Sequence, residues 1–322
     1  MKADIVSFQN ILEAHRKIKN FVTRTPTYLS AVFSQRTGAE VYLKLECFQP
    51  VGVFKIRGAI NKICSLSSLE LTKGLITSSS GNHGLSVAYA AKICGAKAVV
   101  VVPKNAVKEK VEAIRSYCAK VVEYGKDYDE AYSKALEIQK ETGKTFVHPF
   151  NDVFVIAGQG TVGLELLKDV PDLNTIIVPI GGGGLISGIS IAAKTLNPNT
   201  RIVGVQPEGA SAVYRSWKAG KIVEVDSVNT VADGLAARKP LDLTFKIIKR
   251  YVDDILLVTE QELGKAVLAL LSDAHILAEP SGAASLAALL FKYHPKPKEK
   301  VVVIVSGSNI SIGYLTSLLK HT

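Results

Sequence analysis

What most restricts the folds open to this chain is an alternation of short, wholly apolar runs with segments of helical periodicity. Ala98-Val-Val-Val-Val102 is apolar at every position, which is the pattern of a strand covered on both faces of a sheet. Residues 41–46, 74–77, 120–123, 145–147, 175–179, 201–205, 255–258 and 300–305 read as further strands. Residues 83–94, 107–117, 128–142 and 185–196 read as helices between them. Strands that alternate with helices build parallel sheets through right-handed crossovers. Seven or more such strands exceed what one small lobe holds. The expected fold is therefore α/β with two parallel-sheet lobes: a small lobe, 75–148, inserted into a larger one made of 1–74 and 149–322.

Composition supports a packed soluble protein, with 47% apolar residues and 21% charged ones in a chain of 322. No apolar run approaches the roughly 20 residues of a membrane span. The opening stretch Met1-Lys-Ala-Asp-Ile-Val-Ser-Phe8 has no apolar core of a secretory signal, so a cytoplasmic protein with no membrane partner is expected. The net charge of +10 reads as a lysine-rich solvated surface. Its densest runs, 246–250 and 296–300, are short and interrupted, and no nucleic-acid partner is expected from them. Cys47, Cys64, Cys94 and Cys118 are scattered, with neither a C-x-x-C pair nor histidines at metal spacing. The expectation for them is burial as small apolar side chains in a reducing compartment.

Folds of this class bind ligands in loops beyond the carboxyl ends of their strands. Three loops directly follow apolar runs: Ser78-Ser-Ser-Gly-Asn-His-Gly84, Gly181-Gly-Gly-Gly-Leu-Ile-Ser-Gly188 and Ser306-Gly-Ser-Asn309. Four consecutive glycines let the backbone approach a ligand closely, and the helix that follows presents free N–H groups and a positive dipole end. Together these form a phosphate cradle. It is not a dinucleotide loop: counted from Gly182, the sixth position is Ser187, and no Walker lysine follows. Gly158-Gln-Gly-Thr-Val-Gly163 has the dinucleotide spacing but no acid at the end of the next strand, which makes it a chance match. Near the N-terminus, Lys55 stands between Phe54 and Ile56. Alone it reads as a surface lysine. Paired with a phosphate cradle it becomes the second of the two elements that hold pyridoxal phosphate, because an apolar pocket lowers the amine pKa and favours imine formation.

At this point the chain resembles the fold-type II pyridoxal-phosphate enzymes of the threonine dehydratase and serine racemase group. Phe54-Lys55-Ile-Arg57-Gly-Ala59, Ser79-Ser-Gly-Asn-His-Gly84, His148-Pro-Phe150, Ala157-Gly-Gln-Gly-Thr161, Gly181 to Gly184, Ala232-Asp-Gly234 and Glu279-Pro280 match its motifs in order. The resemblance spans essentially the whole chain. Lys55-Ile-Arg57 and Gly81-Asn-His-Gly84 distinguish it from the cysteine synthases, which resemble it in fold. The resemblance implies that Lys55 is the Schiff-base lysine and the base acting on Cα, and that Phe54 packs beside the ring. Asn82 would bond the ring 3′-oxygen, and Gly181, Gly182, Gly183, Gly184 and Leu185 would hold the phosphate. Ser306 would face the pyridine nitrogen. Ser79, Ser80, Asn82 and His83 would bind the substrate, with Ser80 where racemases of the group keep a second base.

A neutral Ser306 makes the ring a weaker electron sink than a carboxylate would, which suits loss of a β-leaving group. The expected activity is deamination of L-threonine and L-serine to a 2-oxo acid and ammonia, in a homo-oligomer as is usual in the group. A serine or aspartate racemase is the alternative, and a non-catalytic cofactor or amino-acid binder is a second one. Departures from the group's pattern are Val51 and Val53 in place of hydroxyl residues, Leu85 in place of Gln, and Ser308 in place of Gly. With Thr322 close behind the last motif, a protein without the group's C-terminal regulatory domain is expected. Some members hold a divalent metal with two carboxylates, and the matching positions here are Gln206 and Ala212, so no metal is expected.

Overall fold

The computed structural model describes residues 6–320; Met1 to Ile5, most of the stretch read for a signal, and the terminal His321 and Thr322 lie outside the described residues. The strands are β1 (Thr27–Leu29), β2 (Glu40–Leu45), β3 (Leu75–Ser78), β4 (Ala98–Val102), β5 (Lys120–Glu123), β6 (Thr145–Phe146), β7 (Thr175–Pro179), β8 (Arg201–Pro207), β9 (Asp254–Val258) and β10 (Lys300–Val305). They form a six-stranded sheet in the order β1-β2-β10-β7-β8-β9 and a four-stranded sheet in the order β5-β4-β3-β6. All pairings are parallel except that of β1 with β2. The wholly apolar runs have the cause expected of them. In β10, Val301, Val303 and Val305 pack into one core with Leu43, Val203 and Leu286, while Val302 and Ile304 pack into another with Ile176, Ile189 and Ile248. In β4, Val100 and Val102 face one cluster and Val99 and Val101 the other.

Several elements go beyond the sequence expectation, among them most helices of the larger lobe, and two show why. One is β1, a three-residue edge strand too short to show a period. The other is the helix Phe8–Ile18, closed at its start by a capping box between Ser7 and Asn10. No helix among the described residues is long and apolar enough to cross a membrane. The cysteine expectation needs correcting: Cys47 is buried, but Cys64 and Cys94 are half-buried and Cys118 is exposed. All four are free thiols.

Two glycine motifs serve packing. A Cβ on Gly158 would stand 2.6 Å from the Arg57 carbonyl oxygen, and one on Gly188 would stand 2.4 Å from the Gly160 nitrogen. The helix Val153–Asp169 therefore presses its backbone against the helices Lys55–Ile63 and Gly184–Leu196. This accounts for the Gly-Gln-Gly run without any nucleotide.

Candidate active site

The three loops singled out in the sequence all follow carboxyl ends of parallel strands: 79–83 after β3, 181–184 after β7 and 306–309 after β10. Because β7 and β10 are neighbours, Ser306 and the glycine loop open onto one crevice. The segment before Lys55 runs along the third loop. Val53 bridges Gly307, and the Phe54 N–H donates to the Ser306 carbonyl at 3.1 Å. That contact sets Lys55, the first residue of its helix, at the end of β10.

A narrow cleft results, lined by Phe54, Lys55, Asn82, the four glycines, Leu185, Glu279 and Ser306, among others. Ser80 lines a separate outer cavity together with Leu85, Lys110 and Ile310, and Asn82 forms part of the wall of both. Lys110 forms an ion pair with Asp233 there. Ser79 accepts a hydrogen bond from the Gly81 amide at 3.3 Å, so its hydroxyl closes the turn. The His83 ring turns away from both cavities and bonds the Val147 carbonyl at 2.8 Å, which leaves only its backbone N–H for a ligand. Burial, reinforced by Lys55, pulls its pKa down to about 3, so the ring is neutral.

Three of the four glycines, Gly181, Gly182 and Gly183, are required by contact. A Cβ on Gly182 would lie 2.3 Å from the Phe150 ring and one on Gly181 2.7 Å from the Gly234 carbonyl oxygen. Gly183 adopts φ +92, the left-handed region, and there a Cβ would also meet Ile248 at 2.6 Å. The first amide of the following helix to bond back is Ser187, to the Gly183 carbonyl, which leaves the N–H groups before it directed outward. Phe150 explains the His148-Pro-Phe150 motif: His148 Nδ1 accepts from the Phe150 and Asn151 amides, and the ring it holds walls the glycine loop.

Lys55 Nζ lies 5.1 Å from the centroid of the Phe54 ring, and among the described residues no side chain accepts a hydrogen bond from it. Burial pulls its pKa down to about 8, opposed by Glu279. Glu279 is a site residue that the sequence reading passed over as a bare motif match. It is buried, and it accepts from Asn82 Nδ2 at 2.6 Å, while Asn82 Oδ1 accepts from Asn309 Nδ2 at 2.7 Å. Burial, then Asp233, pushes its carboxyl up to about 7, with the Asn82 bond, Lys110 and Lys55 pulling the other way. The Asn82 amide is thereby fixed in orientation, with one N–H left to donate into the cleft. Val51 and Val53 are buried in the apolar cluster around Ile56 and Ile60 and line neither cavity, so the two departures remove no hydroxyl from the site.

The residues fit pyridoxal phosphate. A glycine loop whose Cβ atoms would collide with Phe150, Gly234 and Ile248, an amine without a partner and a neutral hydroxyl, Ser306, share one cleft with Gln159, whose buried Oε1 also lacks a partner. The comparisons with known proteins agree with this chemistry. Residues 18–307 match the family model described as pyridoxal-phosphate dependent enzyme. An L-threonine ammonia-lyase of Thermotoga maritima is 46% identical over 98% of this chain and 78% of its own length. A catabolic L-threonine dehydratase of Staphylococcus aureus is 42% identical over 99% of this chain and 93% of its own. The structure of maize serine racemase superposes with a TM-score of 0.93 at 41% identity, covering 98% of each chain.

Proposed function

Since the chain belongs to the family of pyridoxal-phosphate-dependent enzymes, we propose that it deaminates L-threonine and L-serine by α,β-elimination to a 2-oxo acid and ammonia. The observation that carries this reading is the partnerless, pKa-lowered amine of Lys55 in the same cleft as the glycine cradle. The cofactor, when bound, supplies the electron sink that makes the Cα proton of an amino acid removable. The amides of Gly181 to Gly184 and of the helix they open would hold its phosphate. Asn82 would hold the ring oxygen through its remaining N–H, and Ser306 would face the ring nitrogen without charge. Lys55 Nζ would hold the cofactor, and its neutral amine would serve as the base that takes the Cα proton. The free amides at the start of the helix Asn82–Ile93 hold the substrate carboxylate.

Racemisation is the second reading, since a chain of similar fold and 41% identity is a serine racemase. It requires Ser80 to return a proton on the face opposite Lys55. Incubation with L-serine, followed by oxo-acid assay and chiral analysis, separates the two: oxo acid with little D-serine supports the lyase, and D-serine as the main product overturns it. The same reading treats 75–148 as an inserted small lobe, supported by a four-stranded sheet lying wholly within it. It also makes the protein a cytoplasmic homo-oligomer, for which four free thiols suit a reducing compartment.

A further inference from the structure

Cys64 closes the C-terminal end of the helix Lys55–Ile63, and Cys94 closes that of Asn82–Ile93. These are the two helices whose opposite ends carry Lys55 and the 79–83 loop. They pack together through Ile56, Ile60, Ile63, Val87, Ala88 and Ala91. At the far end of that seam the two Sγ atoms stand 3.3 Å apart, and both residues are half-buried, open to a small reagent. A disulfide requires the sulfurs to close by roughly 1.2 Å to the bond length, a displacement within reach of side-chain rotation. No part of the proposed reaction uses either cysteine, and neither lines the cleft or the outer cavity.

We propose that Cys64 and Cys94 form a reversible thiol modification site, which a peroxide converts to a disulfide stapling the two site-bearing helices. The division of labour follows from their surroundings. The hydrogen bond from Cys94 pulls the Cys64 thiol down to about 7, against its burial and with help from Lys17. The same contact, together with burial, pushes Cys94 up, and the positive Lys17 near Cys64 favours the thiolate there. The Cys64 thiolate attacks one oxygen of hydrogen peroxide; an S–O bond forms, the O–O bond breaks, and the departing hydroxide takes a proton to become water. The Cys94 sulfur then attacks the resulting sulfenic sulfur, and the S–O oxygen leaves as a second water with the Cys94 proton. Two thiols are oxidised and one peroxide is reduced to two waters. A dithiol reductant reverses the change by exchange.

The staple lies far from the chemistry. Nine residues of helix separate Cys64 from Lys55, roughly 13 Å, and twelve separate Cys94 from Asn82, roughly 18 Å. Closing it leaves the site undisturbed but removes freedom from the unfolded chain over the 30-residue separation of the pair. The test treats the cofactor-loaded protein with dilute hydrogen peroxide, then maps peptides without reduction, and measures melting temperature and turnover. The expected result is a Cys64–Cys94 linked peptide, a melting temperature raised by about 5 °C, and turnover within about twofold of the reduced protein. Dithiothreitol should reverse all of this, and Cys64→Ser should abolish the rise in melting temperature. If Cys64→Ser does not fold, Cys94→Ser serves in its place. The proposal is overturned if both thiols remain open to alkylation after treatment, if the linked peptide joins exposed Cys118 of two chains instead, or if the oxidised protein melts no higher. Neither the peptide map nor the melting shift depends on which amino acid is the substrate, so this inference and the proposed activity fail separately.

Discussion

Lys55 and Arg57 are two cations on one helix, two residues apart, in opposite surroundings. Arg57 is fully buried, and its guanidinium reaches two carboxylates: Nε and Nη2 donate to Glu46 at 2.8 Å each, Nη1 to Glu165 at 2.8 Å and Nη2 to Glu165 at 3.0 Å. Lys44 completes the cluster with a 2.6 Å bond to Glu165, giving two buried positive and two buried negative groups. Burial alone would lower the pKa of Arg57, but Glu46 and then Glu165 hold it above its usual value. Lys55 has no such partner, and burial carries its pKa the other way. A buried charge that serves structure is matched and bonded; one kept for chemistry is left unmatched. The neutralised cluster ties the helix to β2 and to the helix Val153–Asp169, and this holds the unmatched amine in place. Substitution at each position should therefore fail in a different way.

The largest effect is expected at Lys55. Lys55→Ala removes the tether and the Cα base together, so turnover should fall on the order of 10⁴-fold and the visible imine absorption should vanish. In the cofactor-free protein its melting temperature should not fall, because an amine that resists protonation in the folded state opposes folding at neutral pH. Ordinary turnover in this variant would sink the assignment of the site. Arg57→Met should do the reverse to stability, costing about 3–5 kcal/mol by leaving Glu46 and Glu165 with Lys44 alone. Arg57→Lys should recover little of that, since one ammonium cannot bridge two carboxylates as a fork. Chemical denaturation measures both, and wild-type stability in Arg57→Met would refute the contrast.

The pH dependence sharpens it further. Lys55 attacks the cofactor only as the neutral amine. With its pKa lowered to about 8, attachment to the cofactor-free protein should be pH-independent above that value and slow about tenfold per unit below it. Stopped-flow absorbance at the imine band reports this directly. A midpoint near the ordinary lysine value would mean that the amine is solvated or paired. The linkage runs the same way: between about 8 and the unfolded lysine value the unfolded chain binds more protons, so stability gains from Lys55 as pH rises through that window.

These two residues also mark what the sequence makes legible. Lys55, the glycine loop and Ser306 are local signals, each adjacent to a strand that apolar periodicity locates. The partners of Arg57 lie 11 and 108 residues away, and Glu279 lies 197 residues from Asn82. No spacing rule joins such pairs; only the packing of the two sheets does. A buried glutamate before a proline reads as an ordinary helix start, and the structure does place it at the start of the helix Pro280–Phe291. His83 keeps its backbone N–H at the loop, but the direction of its ring is equally illegible. A histidine in a ligand loop looks like a contact, while its ring direction is settled by Val147 on another segment.

A smaller effect is expected at Ser80. With Lys55 acting alone on the Cα proton, Ser80→Ala should retain deamination of L-threonine within about tenfold, while any formation of D-serine should fall much further. Equal losses would assign Ser80 to binding and leave Lys55 without a second base to be compared with.

The smallest effect is expected from removing metal. A third charged arrangement, a divalent cation between carboxylates, would need acids at the turn after β8, and this chain has none in position. Gln206 is committed on both sides: its Nε2 donates to the Ile180 carbonyl at 3.2 Å, and its Oε1 accepts from the Tyr214 amide at 2.8 Å. Ala212 is buried at the start of a helix, and Glu208, the nearest carboxylate, is exposed to solvent. A hard divalent ion requires anionic oxygens to offset its dehydration, and backbone carbonyls alone suit a monovalent ion better. EDTA should therefore leave turnover and melting temperature unchanged, with K⁺ the cation to vary. Loss of either with EDTA, restored by Mg²⁺ or Ca²⁺, would place a charged site outside both regions compared above and would favour the racemase reading.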